Sequence, residues 1–167
     1  MKTLLAALCF VLLAGCGKSA TVAGTFPPQT APPTVAPTAP PTPAPTPIIV
    51  SGTKLFQTPS GNIGCVMSNA SDQPFARCDI GDRTWKAPPK PKSCPLDYGN
   101  GVIVEAGDKA TYSCAGDTVL HQGDQVPYGQ KLRLGALECD VETSGVTCTN
   151  DASRHGFFIS KASVRLF

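Results

Sequence analysis

Six of the eight cysteines lie between residues 65 and 148, and their thiols could form disulfides or bind zinc. A zinc site would need cysteine pairs separated by about two to four residues, or clusters with histidine. No two of these six are that close. An even number of cysteines in a small exported domain indicates a disulfide framework instead. The six are Cys65, Cys78, Cys94, Cys114, Cys139 and Cys148.

Four side chains in loop-like sequence are candidates for ligand binding. Trp85, Tyr98 and Tyr128 each lie near Gly or Pro, and together they could form an aromatic platform for a sugar or a peptide. His155, in the stretch SRHGFF, could contact a ligand or act as the base of a hydrolase. Each has a structural alternative: the aromatic rings could pack in the core, and Gly156 could turn the chain into a buried strand.

Familiar catalytic motifs are missing from the sequence. His121 and His155 are the only histidines, and there is no GxSxG, HExxH, Walker or GxGxxG motif. The stretch DYGNG offers oxygen ligands but lacks the repeated acidic positions of a calcium loop. We therefore predict no metal site and no cofactor. The net charge of +2 comes with no basic cluster, so no nucleic-acid partner is predicted either.

The elements that must position these residues are predicted to be strands. Residues 54–167 contain short runs of alternating polar and apolar residues, interrupted by Gly, Pro, Asn and Asp. No apolar pattern of helical spacing continues for more than two turns. This pattern predicts a small all-β domain of short antiparallel hairpins, cross-linked by disulfides.

The alternation also predicts how the cysteines pair. If Cys65 faces Cys78 across a hairpin, Ile63 faces Ile80 on the same side, and Asp79 points to the other side. A similar hairpin places residue 139 opposite residue 148, and residues 94 and 114 flank a third hairpin that turns at AGD. A slip of one residue would reverse the faces. The preferred pairing, one of fifteen, is therefore 65–78, 94–114 and 139–148.

The N-terminus, MKTLLAALCFVLLAGC, has a basic start, an apolar run and then small residues. This is typical of a signal peptide, and the run is shorter than the roughly 20 residues of a membrane span. Leu13-Ala14-Gly15-Cys16 resembles the lipobox of bacterial lipoproteins. The resemblance implies that residues 1–15 are removed and that Cys16 carries a diacylglyceryl thioether and further acyl chains such as palmitate. An ordinary secretory signal with a chance cysteine is the alternative.

Residues 16–53 are predicted to be a linker that begins at the anchored cysteine. Ten prolines and seven threonines lie between residues 19 and 50, and residues 19–53 contain no charged residue. Such a segment cannot form a core, and proline favours the polyproline II conformation, which rises about 3.1 Å per residue. The composition is also that of O-glycosylated stalks, and a PxxP ligand for another domain is an alternative use.

Several stretches of the remaining chain resemble one family when taken together and in order. They are FQTPSGNIGCVM, ARCDI, WKAPPKPKSC, DYG, GDT, PYG, SGVTCTN and HGF. They resemble a domain of unknown function found in small secreted proteins and lipoproteins of mycobacteria and related actinobacteria, over about residues 55–167. The resemblance implies an extracytoplasmic, disulfide-containing domain and assigns no catalytic residue.

The sequence therefore predicts a lipoprotein on the extracytoplasmic face of the bacterial membrane, held there by its anchor and displaying a folded domain on a stalk. The domain is predicted to be a non-catalytic binding or structural module of the cell envelope, with cell-wall glycan or peptide as partner. A hydrolase that uses His155 and an inhibitor of a secreted enzyme are the alternatives.

Overall fold

The computed structural model describes residues 45–167. The predicted signal peptide, Cys16 and most of the predicted linker lie outside the described residues. Residues 45–167 form twelve strands and no helix, so no helix in this part of the chain could cross a membrane. The predicted all-β fold of antiparallel hairpins is confirmed.

The strands form two six-stranded sheets, A and B. In spatial order, sheet A contains β1 (Ile48–Ile49), β8 (Gln130–Leu134), β9 (Leu137–Glu142), β10 (Gly145–Asn150), β11 (Gly156–Ile159) and β12 (Val164–Leu166). Sheet B contains β6 (Thr111–Cys114), β5 (Tyr98–Glu105), β4 (Phe75–Ile80), β3 (Ile63–Ser68), β2 (Thr53–Gln57) and β7 (Asp124–Gln125). Neighbouring strands are antiparallel, except that β1 runs parallel to β8 and β7 runs parallel to β2.

The core lies between the two sheets. Alternate side chains of both sheets enter one cluster, in which Phe56 and Val102 of sheet B and Phe157 of sheet A are fully buried. Burial of such side chains contributes roughly 1.5–3 kcal/mol each. Two disulfides also meet there, with Cys78 Sγ 4.0 Å from Cys148 Sγ of the opposite sheet. The cystines therefore join the sheets through packing as well as joining strands covalently.

All three predicted disulfides are confirmed, as are the registers that predicted them. Cys65–Cys78 joins β3 to β4, Cys139–Cys148 joins β9 to β10, and Cys94–Cys114 ties the segment before β5 to the end of β6. The first two link directly opposed residues, and Ile63 pairs with Ile80 as expected. In the same registers Met67 pairs with Ala76, and Val141 with Val146.

The folded part of the chain begins before residue 54. Ile48–Ile49 forms β1 on the edge of sheet A, and the amide of Val50 donates to the carbonyl of Arg133 at 2.8 Å. Two isoleucines and a valine after the last proline of the linker favour a strand, because β-branched residues fit a pleated edge. The predicted linker of residues 16–53 includes these three residues, whereas in the structure they pair with sheet A.

Candidate functional site

A groove of about 650 Å³ lies where one end of sheet A meets the corresponding end of sheet B. Sheet B contributes the β2–β3 turn and the residues just after β4. Sheet A contributes the β9–β10 and β11–β12 turns. His121 and Tyr128 complete the lining, from the long segment that joins β6 to β8. The groove is thus built from loops on a rigid frame, where binding functions are commonly found.

Asn62 fixes the sheet B side of the groove. Its side-chain amide donates to the carbonyl of Asp82 at 3.0 Å, and its Oδ1 accepts the amide of Asp82 at 2.7 Å. The amide of Gly81 donates to the backbone carbonyl of Asn62 at 3.0 Å. These bonds hold the β2–β3 turn against the end of β4, so the backbone of Asp82 has a defined place at the rim.

Trp85 holds the sheet A side of the groove in place from outside the lining. Its indole Nε1 donates to the carbonyl of Ser160 at 2.8 Å, and the amide of Thr84 donates to the carbonyl of Lys161 at 2.9 Å. Ser160 and Lys161 line the groove. The segment after β4 therefore locks the β11–β12 turn in place, and Trp85 supports the groove wall without lining it.

Polar and charged side chains make up most of the groove lining, around one exposed aromatic ring. Tyr128 is 39% exposed. Hydroxyl groups come from Thr58, Ser60, Thr143, Ser144 and Ser160, and charged groups from Asp82, Glu142 and Lys161. The Lys161 ammonium lies 3.9 Å from the Asp82 carboxylate, with both side chains well exposed. Such a surface offers hydrogen bonds to a hydroxylated ligand and one flat face for stacking.

His121 enters the groove from a loop that lies on the outer face of sheet B. It is one of two non-glycine residues between 45 and 167 with a positive φ, at 59°. Its Nδ1 lies 3.9 Å from the position that a Cβ would take at Gly61, in the β2–β3 turn. Strained backbone of this kind persists only when surrounding contacts impose it, and it is concentrated at functional sites.

An ion-pair network holds that loop on the sheet. Arg77 donates from Nε and Nη2 to the two carboxylate oxygens of Asp79, at 2.9 and 2.7 Å. It also donates to the carboxylate and the carbonyl of Asp117, both at 2.8 Å. Asp79 Oδ2 in turn accepts the amide of Val119 at 3.0 Å. The hydrogen bond from Arg77 lowers the pKa of the exposed Asp117 carboxyl.

Residues 43–167 match the model of a family of unknown function (DUF6636). The chain belongs to this family. No curated protein and no solved structure matches it. The matched region includes every residue of the groove and every strand of both sheets.

In this DUF6636 domain, two of the four predicted binding residues lie in one aromatic cluster. Tyr112 connects them, with ring centroids 6.3 Å from Trp85 and 5.9 Å from Tyr98. Trp85 and Tyr112 pack against the core, and burial is the main cause of the raised pKa of Tyr112. The Arg83 guanidinium lies 4.7 Å from the centroid of the Trp85 ring. The cluster closes one side of the sandwich.

The other two predicted residues are separated from that cluster and from each other. Tyr128 lines the groove. His155 lies at the opposite end of sheet A, where its carbonyl accepts the amide of Asn150 at 2.8 Å. Gly156 starts β11, and Phe157 and Ile159 are fully buried, as the structural alternative for SRHGFF expected. The four residues therefore do not converge on one surface of the domain.

Sequence reasoning missed His121, Asp82 and Glu142 of the DUF6636 domain. Their lining of one groove depends on which ends of the two sheets lie together, and hydrophobic alternation does not determine this. The outward position of Asp79 was predicted from register, but its burial beneath a loop was not. In the described part of the chain, no three His, Cys, Asp or Glu side chains lie close enough together to hold a metal ion.

Proposed function

We propose that this protein is a non-catalytic binding module of the cell envelope that takes a hydroxyl-rich glycan segment in the groove. The observation that carries the proposal is the exposed Tyr128 ring, placed among hydroxyl and charged side chains in an open groove of about 650 Å³. A flat ring offers stacking to the C–H face of a sugar, while the surrounding hydroxyl, amide and carboxylate groups bond its hydroxyls.

The chemistry of the groove favours a glycan over other cell-envelope ligands. Ala162 is the only aliphatic side chain in the lining, so an acyl chain would find none of the valine, leucine or isoleucine side chains that pack well against it. The lining carries two carboxylates, those of Asp82 and Glu142, and one ammonium, that of Lys161, so it does not attract a phosphate-rich polymer. Glu142 also accepts a hydrogen bond from Ser144 at 3.1 Å, which orients its carboxylate within the lining.

Substitution of Tyr128 tests the proposal. Soluble oligosaccharides, for example tri-N-acetylchitotriose, maltotriose and fragments of peptidoglycan glycan strands, can be titrated into the protein by calorimetry. We expect Tyr128→Ala to weaken binding of the recognised glycan about tenfold or more, since stacking on an aromatic ring contributes roughly 1 kcal/mol beyond its buried area. Tyr128→Phe keeps the ring and should stay within about threefold of the natural protein.

The matched control is Ile49→Ala, which removes an apolar side chain that is 75% exposed and outside the groove. It should leave glycan affinity unchanged. Equal binding by Tyr128→Ala and the natural protein would overturn the proposed site. Binding of a peptide stem in place of any glycan would overturn the ligand class.

We further propose that Cys16 is the lipidated first residue of the mature chain and that the Pro/Thr-rich segment is its stalk. The support is the sequence alone: the Leu-Ala-Gly-Cys motif at the end of the apolar run, and a charge-free linker behind it. Six other cysteines pair among themselves, so none of them needs Cys16 as a disulfide partner. Anchoring through two or more acyl chains would be stable.

Metabolic labelling with a clickable palmitate analogue tests the anchor. The full-length protein should incorporate the label and partition into the detergent phase, whereas Cys16→Ala should lose both properties. Cys9→Ala is the matched control, because it removes the other cysteine of the N-terminal segment, upstream of the proposed cleavage site. Continued labelling of Cys16→Ala would show that the anchor assignment is wrong.

A further inference from the structure

A second pocket, of about 390 Å³, lies on the outer face of sheet B. Its lining includes Arg77, Asp79, Asp97, Gly101, Ser113 and Asp117, and none of these lines the groove. It sits beside an irregularity in the pairing of β5 with β6, between Tyr98 and Val102. Such bulges are over-represented next to functional sites, because they re-aim side chains and open the sheet.

Ser113 supplies a buried hydroxyl without a partner. Tyr112 pairs with Val102 and packs on the core side, so the alternation along β6 directs Ser113 to the outer face. The residue is 5% exposed, and its Oγ makes no hydrogen bond with any residue from 45 to 167. Buried polar groups are almost always satisfied, so an unpaired hydroxyl in a pocket wall indicates a missing ligand group or a water molecule.

Gly101 lies in the pocket lining, at a close approach of β4 and β5. It lies opposite Asp79 in the pairing of β4 with β5, and a Cβ at this position would overlap Asp79 Oδ1 and the carbonyl of Cys78. Any larger residue would therefore displace the buried carboxylate. The glycine therefore lets β5 pack directly against the Asp79 carboxylate, which lines the pocket together with Ser113.

The charges of the lining determine whether the pocket favours an anion or a cation. Three carboxylates, those of Asp79, Asp97 and Asp117, face one guanidinium, that of Arg77. Arg77 already donates four of its five N–H groups to Asp79 and Asp117, so it has little left to offer an anion. Arg83 lies outside the lining, over the Trp85 ring, but its Nη2 donates to Oδ1 of Asn100, a lining residue, at 3.4 Å. With Arg83 included, three carboxylates still outnumber two guanidinium groups. The pocket therefore repels anions and attracts cations.

We propose that this pocket binds an organic cation that carries N–H donors, an ammonium or a guanidinium group. One N–H donates to Ser113 Oγ, and the positive charge lies among the carboxylates, with Asp97 at the pocket mouth. Asp97 suits this role because it is exposed and lies in no ion pair within the described chain. The assignment is independent of the glycan groove.

The test is NMR titration of the folded, oxidised protein with guanidinium, ethylammonium and tetramethylammonium chlorides at constant ionic strength. Guanidinium or ethylammonium should shift the amides of Gly101, Ser113 and Gly116 in a saturable way. Tetramethylammonium has the same charge but no N–H donor, and it should bind at least tenfold more weakly. Equal binding of all three cations would mean that only charge is sensed, and it would overturn the proposal.

Two substitutions locate the ligand. Ser113→Ala removes the unpaired hydroxyl without breaking a hydrogen bond of the fold, so thermal stability should be kept while affinity falls about tenfold. Asp97→Asn should weaken binding at least threefold. Because Ser113 also borders a smaller depression near Glu105, Glu105→Gln is the matched control and should bind normally. Unchanged affinity in Ser113→Ala, or no saturable shift with any cation, would mean that the pocket holds water only, and it would overturn the proposal.

Discussion

Replacing Arg77 with methionine is expected to lower the free energy of unfolding by about 3–5 kcal/mol. The substitution leaves the Asp79 carboxylate, which is 1% exposed, without its two strongest hydrogen bonds and without a counter-charge. Breaking a buried ion pair by removing one partner typically costs that much, because the remaining charge is uncompensated. Denaturation in urea under oxidising conditions, followed by tryptophan fluorescence, measures the change.

Two further variants show whether the buried charge is the cause. The double variant Arg77→Met/Asp79→Leu removes both charges, and it should recover part of the loss, since a buried pair replaced by apolar residues is often near neutral. Lys54→Met breaks the ion pair with Asp124, which lies at the surface, and its loss should be much smaller than that of Arg77→Met. A loss in Arg77→Met as small as in Lys54→Met would contradict the explanation.

The same substitution should also disturb the groove. Arg77 and Asp79 hold the loop through Asp117 and Val119, and His121 follows two residues later. Without Arg77 both bonds to Asp117 are lost, and only the bond from Val119 to Asp79 still holds the loop before the strained backbone of His121. We therefore expect Arg77→Met to reduce glycan affinity even where the protein remains folded, and to broaden the His121 signals in NMR spectra.

Much of this domain could be predicted from its sequence because the cysteines constrain the register. In a hairpin, a slip of one residue moves a cysteine to the other face, so pairing Cys65 with Cys78 determines every neighbouring pair. The same reasoning gave Cys139 opposite Cys148. Local alternation and turn residues were thus enough for the hairpins and the disulfides.

The candidate site could not be predicted in the same way. The groove depends on which sheet ends meet, and the pairing of β1 with β8 and β2 with β7 joins segments about 70 residues or more apart. The sequence predicted that Trp85 and Tyr128 could belong to one aromatic platform. In the structure, the indole N–H of Trp85 instead donates to the carbonyl of Ser160, behind the groove wall. Loop sequence shows that a residue is near the surface, but not which surface it shares.

Replacing Gly123 with alanine is expected to lower the free energy of unfolding by roughly 2–4 kcal/mol. Gly123 has a φ of 76°, which strains any residue with a Cβ. It also lies directly on β2, where an added Cβ would overlap the carbonyl group of Leu55 and the amide nitrogen of Phe56. These are backbone atoms of a paired strand, so no side-chain movement can relieve the overlap.

Gly107→Ala separates the two contributions of that substitution. Gly107 also has a positive φ, 92°, but a Cβ there would meet no atom within 4 Å. The Gly107→Ala variant should therefore lose only the stability that a positive φ costs an alanine, about 1–2 kcal/mol. The excess loss in Gly123→Ala then measures the close packing of the His121 loop against β2. Gln57 Nε2 donates to the Gly123 carbonyl at 3.0 Å, and displacement of the loop would disturb this bond. Since the same loop carries His121 into the groove, Gly123→Ala should also bind glycan more weakly. Equal losses of stability in the two alanine variants would show that the close contact of Gly123 with β2 does not hold the loop.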